Sequence, residues 1–279
     1  MKIITKEILA DCQGTRVVKL TVHAPDIAAK ARAGQFAMLM VKEEGERIPL
    51  TVVETDPQKG TITLILQEIG LTTKFLGRME PQDSLYSIVG PLGHPTHIEK
   101  YGQVILIGGG VGIAEIYPVA RALKIAGNQV TAIIGARTKE LLILEQQLKE
   151  TCDECIVMTD DGSYGRKGFV TEALKALLDA ARYALVYAVG PVPMMRAVSG
   201  VAKTAGVRAL VSLNAIMVDG TGMCGCCRVT VGKETKFSCV DGPEFDAALV
   251  DWQELSNRNS IYTTHEKHIC RLKEQGAGQ

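Results

Sequence analysis

The feature that most constrains the fold is an alternation of two segment types between residues 101 and 206. Apolar segments of strand length alternate with segments of helix length, and a glycine turn joins the first strand to the first helix. The strand segments read "GQVILI", "QVTAIIGA", "CIVMTDD" and "YALVYAVG". The segments of helix length read "IAEIYPVARALKIAG", "KELLILEQQLKE", "VTEALKALLDAA" and "PMMRAVSGVAKTAG". This alternation predicts a parallel, doubly wound sheet, and we assign residues 98–210 to one α/β domain.

Residues 1–97 have a different pattern, in which short β-branched segments follow one another with turn residues between them. The predicted strands read "RVVKLTVHA", "QFAMLMV", "IPLTVVET", "TITLILQE" and "DSLYSIVG". A single stretch typical of a helix, "LTTKFLGRM", interrupts them. Many short strands at this spacing indicate an antiparallel β-barrel or sandwich, and we predict a barrel.

The alternation stops near residue 210, where a compact segment rich in cysteine and glycine begins. We predict a small third domain over residues 211–252. The remaining residues, 253–279, are polar, and we expect them to be partly helical. The three-part organisation suits a chain of 279 residues, since two or three domains are typical of that length.

Composition excludes several classes of function. Lys plus Arg and Asp plus Glu both number 31, so the net charge is zero and no nucleic-acid partner is expected. No apolar run reaches the length of a membrane span, so no membrane insertion is expected. The first residues, "MKIITKEILADCQG", contain no apolar signal core, which predicts a cytoplasmic location. The eight cysteines then favour metal or redox use over disulfides.

The turn "GGGVG" at 108–112 is a candidate nucleotide-binding loop. It lies between a predicted strand and a predicted helix, where backbone N–H groups can face a pyrophosphate. Gly108 and Gly110 match the first two glycines of G-x-G-x-x-G, but Ile113 stands in place of the third. A tight structural turn is therefore an alternative. The next strand ends in "GART" without an acidic residue, so Arg137 could pair with a 2′-phosphate or be solvated, and NAD versus NADP stays open.

Four further stretches are candidates for ligand contacts. The stretches "TDDGSYGRKG" (159–168) and "VGPVPMM" (189–195) follow predicted strands at the edge where open α/β sheets bind ligands. In the first domain, Arg47 of "RIPLT" could hold a phosphate and Thr51 could hydrogen-bond a ring nitrogen. "GLTT" (70–73) opens the interrupting helix and could also face a phosphate. Ordinary turns, caps and solvated charges remain alternatives for all four.

The cysteine-rich segment has a spacing close to that of plant-type iron–sulfur proteins. The plant-type pattern is C-x4-C-x2-C with a distant fourth cysteine. Here the pattern is Asp219-x4-Cys224-x2-Cys227-x11-Cys239, so Asp219 stands where the first cysteine is expected. The loop is rich in glycine, as a loop that directs N–H groups at sulfur needs to be. A structural zinc site with three cysteines and one aspartate is the alternative.

The other cysteines and the histidines are assigned no ligand role. Cys226 adjoins Cys227, and adjacent side chains diverge, so Cys226 is not expected to be a ligand. "CDEC" at 152–155 precedes a strand rather than opening a helix, so two semi-buried thiols are expected there. Cys12 and Cys270 are isolated and expected to be structural. His94 and His97 are expected in a surface loop.

Taken in order, these stretches resemble one family. The set "GQF", "RIPLT", "GLTT", "GPLG", "GGGVG", "GAR", "TDDGSYGRKG" and "VGPVPMM", followed by the cysteine segment, is similar to ferredoxin–NADP⁺ reductase-like flavoproteins with a C-terminal [2Fe–2S] domain. That group includes the electron-transfer subunits of dihydroorotate and sulfide dehydrogenases and the small subunits of electron-bifurcating oxidoreductases. The resemblance covers about residues 1–252. Asp219 in place of cysteine resembles the bifurcating small subunits, and Val189 stands where many relatives have cysteine.

The resemblance implies three cofactor sites. FAD would lie in the 1–97 domain, NAD(H) in the 98–210 domain and a [2Fe–2S] cluster in the 211–252 domain. The residues implied for FAD are Arg47, Pro49, Leu50, Thr51, Gly70, Thr72 and Thr73, with Thr51 tuning the flavin ring. Those implied for the nicotinamide nucleotide are Gly110, Val111, Gly112, Ile113, Asp160, Asp161, Gly190, Pro191 and Met194. The implied cluster ligands are Asp219, Cys224, Cys227 and Cys239.

The implied function is electron transfer in a ferredoxin:NADP⁺ oxidoreductase. A hydride would pass between NAD(H), with NADP(H) not excluded, and FAD, and single electrons would pass through the cluster to a larger flavin and iron–sulfur partner subunit in a heterodimer. Ferredoxin would react only indirectly, through that partner. The alternatives are an electron-transfer subunit of a dihydroorotate or sulfide dehydrogenase, a stand-alone NAD(P)H:acceptor reductase, and a zinc-bearing binding module without enzymatic activity.

Overall fold

The structure is a computed structural model, and it describes residues 1–264, 266 and 269. The N-terminal part forms two antiparallel sheets with strand orders β1-β2-β6-β5 and β4-β3-β7. Their elements are β1 (Ile3–Cys12), β2 (Thr15–His23), α1 (Pro25–Ala28), β3 (Phe36–Met40), β4 (Arg47–Thr51), β5 (Glu54–Asp56), β6 (Thr61–Gln67), α2 (Leu71–Arg78) and β7 (Ser87–Leu92).

Two connections join these sheets into a barrel. The chain runs from β4 directly into β5. Between them, the Val52 N–H donates to the Gln35 carbonyl ahead of β3 in one sheet, and the Val53 N–H donates to the Thr63 carbonyl of β6 in the other. At the other edge, Lys2 beside β1 bridges to Ser84 ahead of β7. The predicted antiparallel barrel is therefore confirmed, and its interior is filled by aliphatic residues such as Leu20 and Leu64, which are fully buried.

The central part is a seven-stranded, mainly parallel sheet in the order β11-β10-β9-β8-β12-β13-β16, in which β16 is Glu244–Asp246. Its elements up to residue 212 are β8 (Gln103–Gly109), α3 (Gly112–Ile125), β9 (Gln129–Ala136), α4 (Glu145–Thr151), β10 (Glu154–Thr159), β11 (Arg166–Lys167), α5 (Val170–Ala180), β12 (Leu185–Val189), α6 (Val192–Thr204) and β13 (Ala209–Ser212). The doubly wound α/β fold predicted from the alternation is confirmed.

Burial on both faces explains why the central strands read as continuous apolar runs. In β8, Val104 and Leu106 face one hydrophobic cluster, while Ile105 and Ile107 face the other, and all four are fully buried. A parallel sheet covered by helices on both faces requires apolar residues at successive positions rather than alternating ones. The continuous apolar runs in the sequence therefore reflect the burial of both faces of the sheet beneath helices.

One predicted helix is wrong in its extent. The stretch "KELLILEQQLKE" is not a single helix: a short 3-10 turn, Lys139–Leu141, is followed by an interruption and then by α4. Leu144 adopts a left-handed conformation with φ of 53°. The break allows Leu141, Ile143 and Leu144 all to be buried, together with Leu148 of α4. Tertiary packing has overridden local helix propensity here.

The C-terminal part adds β14 (Arg228–Val231), β15 (Glu234–Phe237), β16 (Glu244–Asp246) and α7 (Trp252–Ser260). β14 and β15 form a hairpin between Cys227 and Cys239, and β16 joins the central sheet antiparallel to β13. The sequence indicated neither β13 nor β16, and β13 runs across the domain boundary predicted at 210. That boundary and the others stay predictions.

Two predictions concern the end of the chain and the membrane. The expected helical character of the tail is seen in α7, whereas Cys270 lies outside the described residues. Within the described part of the chain, no helix is both long enough and apolar enough to cross a membrane.

Candidate functional site

The carboxyl ends of β8, β9 and β10 open into a cavity of about 710 Å³. Predicted nucleotide-site residues on its wall include Gly110 and Val111 of the glycine turn, Asp160, and Pro191 and Met194. The barrel closes the opposite side with Thr15, Val17 and Gln67. The structure thus brings together three stretches that the sequence predicted separately, and it adds barrel residues that the sequence did not indicate.

Gly110 is the position at which this turn requires glycine. Its φ is 57°, and a Cβ built there would meet nothing within 4 Å, so it would project into open space. At neighbouring Gly109 and Gly112, by contrast, a Cβ would collide with Met194 and with the Val189 carbonyl. The turn is therefore packed against the protein at Gly109 and Gly112 and open toward the cavity at Gly110, as required for a backbone that approaches a ligand.

Four predicted nucleotide-site residues do not line this cavity: Gly112, Ile113, Asp161 and Gly190. Ile113 is fully buried in the core, and its N–H bonds the Gly110 carbonyl at 3.2 Å. The Asp161 carboxylate accepts hydrogen bonds from the N–H and hydroxyl of Ser163. Gly190 packs against Gly109, where a Cβ would lie 3.1 Å from the Gly109 Cα. Ile113 and Gly190 shape the loop from beneath.

Arg137 is exposed to solvent and reaches toward the barrel. Its Nη2 donates to the Thr15 hydroxyl at 2.6 Å, across the cavity entrance. This contact joins the end of β9 to the β1–β2 hairpin, 122 residues earlier in the chain. Arg137 is therefore part of the cavity wall, and a 2′-phosphate would have to compete with Thr15 for it.

The residues predicted for FAD cluster on β4 and on the start of α2. Arg47 is exposed at the beginning of β4, whereas Pro49, Leu50 and Thr51 are half-buried. Gly70 precedes α2, and a Cβ there would meet nothing within 4 Å. The Thr73 hydroxyl accepts the N–H groups of residues 69 and 70, and the Thr72 hydroxyl donates to Glu46 at 2.5 Å. Threonine hydroxyls thus organise this helix start.

Glu115 connects the predicted flavin and nucleotide sites, and sequence reasoning missed it. It lies in the first turn of α3, directly after the glycine turn. Burial raises the pKa of its carboxyl to about 7, and a hydrogen bond with Thr51 of β4 partly opposes that rise. An acidic residue in the otherwise apolar stretch "GIAEIYP" was the only signal in the sequence.

A second missed group joins all three parts of the chain. Glu244 of β16 accepts hydrogen bonds from the Tyr187 hydroxyl at 2.8 Å and from the Thr96 hydroxyl. Tyr187 belongs to the central sheet, and Thr96 to the segment that follows the barrel. Burial raises the pKa of Glu244, and burial beside Glu244 raises the pKa of Tyr187 well above its usual value. No local pattern could have revealed this junction.

The cysteine segment presents its predicted ligands as two pairs. The sulfur atoms of Cys227 and Cys239, both buried, lie 3.3 Å apart. The Asp219 carboxylate accepts the N–H of Thr221 at 2.8 Å and that of Cys224 at 2.7 Å. The hydrogen bond from Thr221 lowers the pKa of Asp219, which makes it a competent anion. Among the described residues, no three such side chains converge on one point.

The donor set and the loop fit an iron–sulfur cluster. Three thiolates and a carboxylate are anionic donors suited to iron, and the Cys227 and Cys239 sulfurs are close enough for one metal ion. The loop contains three glycines with φ between 68° and 85°, a backbone conformation that glycine adopts readily: Gly220, Gly222 and Gly225. Asp219 would have to turn from its backbone partners toward the cluster.

Semi-buried thiols at Cys152 and Cys155 and a surface loop around His94 and His97 were expected, and the structure shows both. Cys152 and Cys155 are largely enclosed, and burial raises their thiol pKa values to about 12 and about 11. Such thiols are unreactive at neutral pH. Cys12 is half-buried, and His94 and His97 are exposed in the loop after β7.

The cysteine segment also contacts the barrel. A Cβ at Gly220 would lie 2.5 Å from Met38 Cγ and 2.9 Å from Leu92 Cδ1. Met38 belongs to β3 and pairs with Pro49 of β4. The loop beside Asp219 therefore lies one strand away from the residues predicted for FAD.

Two family models match separate parts of the chain. Residues 106–200 match the oxidoreductase NAD-binding domain, and residues 214–251 match the iron–sulfur cluster binding domain of dihydroorotate dehydrogenase B. The first contains the glycine turn and most of the cavity wall. The second contains Asp219, Cys224, Cys227 and Cys239.

Relatives match across nearly the whole length. A dihydroorotate dehydrogenase B (NAD⁺) electron transfer subunit homolog of Thermotoga maritima is 50% identical over 246 residues, which cover 88% of this chain and 87% of the relative. The corresponding electron transfer subunit of Desulforamulus reducens is 32% identical and covers 82% of this chain and 90% of its own.

Solved structures agree with these relatives. A chain from a study of flavin-based electron bifurcation, the NADH-dependent reduced ferredoxin-NADP oxidoreductase, superposes with a TM-score of 0.90 at 47% identity, over 95% of each chain. The ferredoxin-NADP⁺ reductase of Plasmodium falciparum has the same fold, with a TM-score of 0.57 at 13% identity over 73% of this chain and 88% of its own. The chain therefore belongs to the family of dihydroorotate dehydrogenase B electron transfer subunits and their homologues, oxidoreductases with a ferredoxin–NADP⁺ reductase-like fold.

Proposed function

We propose that this chain is the electron-transfer subunit of an NADH-dependent ferredoxin:NADP⁺ oxidoreductase, in which it carries electrons between NAD(H), FAD and a [2Fe–2S] cluster. The observation that carries the proposal is the adjacency of the three candidate sites. Glu115 joins the nucleotide turn to Thr51, and Gly220 packs on β3 next to β4. Such adjacency is what a relay between two-electron and one-electron carriers requires.

The nucleotide would bind in the cavity at the end of the central sheet. Gly110 and Val111 would leave room for the pyrophosphate at the start of α3, while Asp160, Pro191 and Met194 would enclose the rest. Gly112, Ile113 and Gly190 would support that loop from below, and Asp161 would hold the adjoining turn through Ser163.

FAD would bind along β4 and the start of α2. Arg47 would pair with the pyrophosphate, together with Gly70, Thr72 and Thr73, while Pro49 and Leu50 would line the isoalloxazine ring. The Thr51 hydroxyl would hydrogen-bond the ring, and its link to Glu115 holds an exchangeable proton beside that position. When bound, FAD supplies the exchange between hydride and single-electron transfer that the nicotinamide and the cluster cannot make directly.

The cluster would be held by Asp219, Cys224, Cys227 and Cys239. Cys227 and Cys239 would share one iron, since their sulfurs already lie together, and Asp219 and Cys224 would share the other. Apolar side chains beside these ligands are exposed to solvent: Val218 by 44%, Met223 by 90% and Val240 by 39%. Exposed apolar residues of this kind often mark a protein–protein contact. They therefore support the proposal that a larger partner subunit docks beside the cluster and exchanges electrons with it.

A visible spectrum after anaerobic purification tests the cofactors. The expected result is flavin bands superimposed on broad iron–sulfur absorbance, with two irons per chain and bleaching by NADH. A colourless protein that contains zinc would reject the proposal in favour of a zinc-bearing binding module.

The identity of the partner separates the remaining alternatives. Co-purification of the native complex should recover a larger flavin and iron–sulfur subunit, with NADP⁺ and ferredoxin reacting only in the complex. Recovery of a dihydroorotate-oxidising or sulfide-oxidising subunit would assign the chain to those enzymes instead. Full turnover by the isolated chain would make it a stand-alone reductase. A cytoplasmic location stays a prediction, which cell fractionation would test.

A further inference from the structure

Both carbonyl groups inside the Cys224–Cys227 turn accept a hydrogen bond from an arginine. Arg228 Nη1 donates to the Gly225 carbonyl at 3.2 Å, and Arg258 Nη2 donates to the Cys226 carbonyl at 3.0 Å. Arg228 directly follows the turn and is exposed. Arg258 is half-buried and comes from α7, 32 residues further along the chain. A cation from outside the cysteine segment is thus fixed to the turn that carries two predicted ligands.

The helix that carries Arg258 is itself held firmly against the cysteine segment. Asp251 caps its first turn by accepting the N–H groups of residues 253 and 254. The Glu254 carboxylate accepts the Thr230 N–H of β14 at 2.8 Å, and Leu255 is fully buried in the same hydrophobic cluster as Cys227 and Cys239. These contacts give Arg258 a defined position over the turn.

One donor of Arg258 has no partner within the described part of the chain. Its Nε is buried and makes no hydrogen bond. A buried, unpaired N–H on a cation is costly in a folded protein unless negative charge lies nearby. An iron–sulfur cluster with thiolate and carboxylate ligands supplies such charge, so the unpaired donor has an explanation in the loaded protein.

The carbonyl contacts also determine where the neighbouring N–H groups point. In a planar trans peptide, the C=O and N–H bonds point in opposite directions. With the Gly225 carbonyl turned to Arg228, the Cys226 N–H faces the Cys224 sulfur, at 3.5 Å. Arg258 fixes the following peptide, between Cys226 and Cys227, in the same way. Hydrogen bonds to cluster sulfurs and nearby charge are the two protein features that adjust a cluster's reduction potential.

We propose that Arg258, assisted by Arg228, is a positioning residue that raises the reduction potential of the cluster. It does so by holding the Cys224–Cys227 turn in the orientation that directs N–H groups at sulfur and by placing a positive charge beside it. Reduction adds one negative charge to the cluster, so both effects favour the reduced form. The inference rests on the proposed presence of the cluster.

The test is the reduction potential of the isolated full-length chain, measured by anaerobic redox titration followed by EPR. Arg258→Met removes the charge and the hydrogen bond but keeps an unbranched side chain. It should shift the reduction equilibrium roughly tenfold toward the oxidised cluster, or about 59 mV for one electron. Arg258→Lys keeps the charge and should shift it less. The matched control is Arg182→Met, which changes an exposed arginine just before the amino end of β12, whereas the nucleotide cavity lies at the carboxyl ends of the strands.

Each outcome decides the inference. A lower potential in Arg258→Met at full iron content, with Arg182→Met like wild type, supports it. An unchanged potential in Arg258→Met, or an equal shift in the control, overturns it. If Arg258→Met binds no iron, Arg228→Met decides instead, because it leaves α7 in place: its potential must fall, and an unchanged value overturns the inference. A wild-type chain without a cluster would instead be the failure of the proposed function.

Discussion

The sulfur atoms of Cys227 and Cys239 lie 3.3 Å apart, although eleven residues separate them in the sequence. The β14–β15 hairpin accounts for this, since it pairs Arg228 with Phe237 and so returns the chain to the place where it began. A tetrahedral metal with metal–sulfur bonds of about 2.3 Å separates two thiolates by roughly 3.8 Å. The two thiols therefore need only a small adjustment to bind one iron.

The first prediction separates Cys239 from Cys226. Cys239→Ser should lose most of the iron, because it removes one of two buried thiols at the end of the hairpin. Cys226→Ser is the matched control and should keep iron content, EPR spectrum and potential, because its half-buried thiol is not a ligand. Iron analysis and EPR measure both. Cluster loss in Cys226→Ser with a normal cluster in Cys239→Ser would reverse the assignment.

The second prediction concerns Asp219 as a ligand. Asp219→Ala should lose or destabilise the cluster, while Asp219→Cys should keep it with a changed EPR spectrum and potential, since a soft thiolate replaces a hard carboxylate. Thr221→Ala serves as a control, because it keeps the N–H that bonds Asp219. A normal cluster in Asp219→Ala would show that Asp219 only caps the loop.

The third prediction tests the glycine turn. Gly110→Val should abolish reduction of the flavin by NADH, while dithionite should still reduce it. The valine would strain a backbone with φ of 57° and project into the open cavity. Stopped-flow absorbance with each reductant measures the difference. The nucleotide would have to bind elsewhere if the kinetics with NADH were unchanged.

The fourth prediction tests Arg47. A charge-assisted hydrogen bond is worth about 1.5 to 3 kcal/mol, so Arg47→Ala should weaken FAD binding roughly tenfold or more. Arg78→Ala, an exposed change at the opposite end of α2, is the control and should bind FAD normally. Fluorescence of released flavin on dilution reports the affinity. Full retention of FAD by Arg47→Ala would remove Arg47 from the site.

The fifth prediction concerns the pH dependence of stability in the cofactor-free protein. Because burial raises the pKa of Glu115 from 4.5 to about 7, the folded state holds a proton that the unfolded state loses between those values. Wild type should therefore lose stability relative to Glu115→Gln as pH rises from 4.5 to 7, with the full difference above 7. Since Glu115 is only half-buried, we expect roughly 1 to 2 kcal/mol.

Thermal unfolding of both proteins across this pH range measures that effect. Glu44→Gln, a change at an exposed residue ahead of β4, is the control and should follow wild type across this pH range. A difference between wild type and Glu115→Gln that does not vary with pH would place its origin in packing rather than in the titration of the carboxyl.

Local patterns were sufficient for most elements of the central sheet but not for those whose existence depends on a distant partner. β9 was predictable because its residues after Gln129 are apolar or small and the turn at Gly127 separates it from α3. β13 and β16 were not predicted because they are only four and three residues long. Their strand conformation depends chiefly on pairing, of β13 with β12 and of β16 with β13. The break in the helix at Leu144 was not predictable from the sequence either, because burial of the surrounding leucines in the core causes it.

The sequence by itself determined which residues could serve each site. The spacing of Asp219, Cys224, Cys227 and Cys239 and the strand–turn–helix order around Gly110 are properties of short segments, so they are readable without a structure. Only the tertiary structure decided how the sites meet. Glu244 with Thr96 and Tyr187 spans 148 and 57 residues, and Arg258 reaches Cys226 across 32. Such contacts arise from packing between elements, and no local periodicity records them.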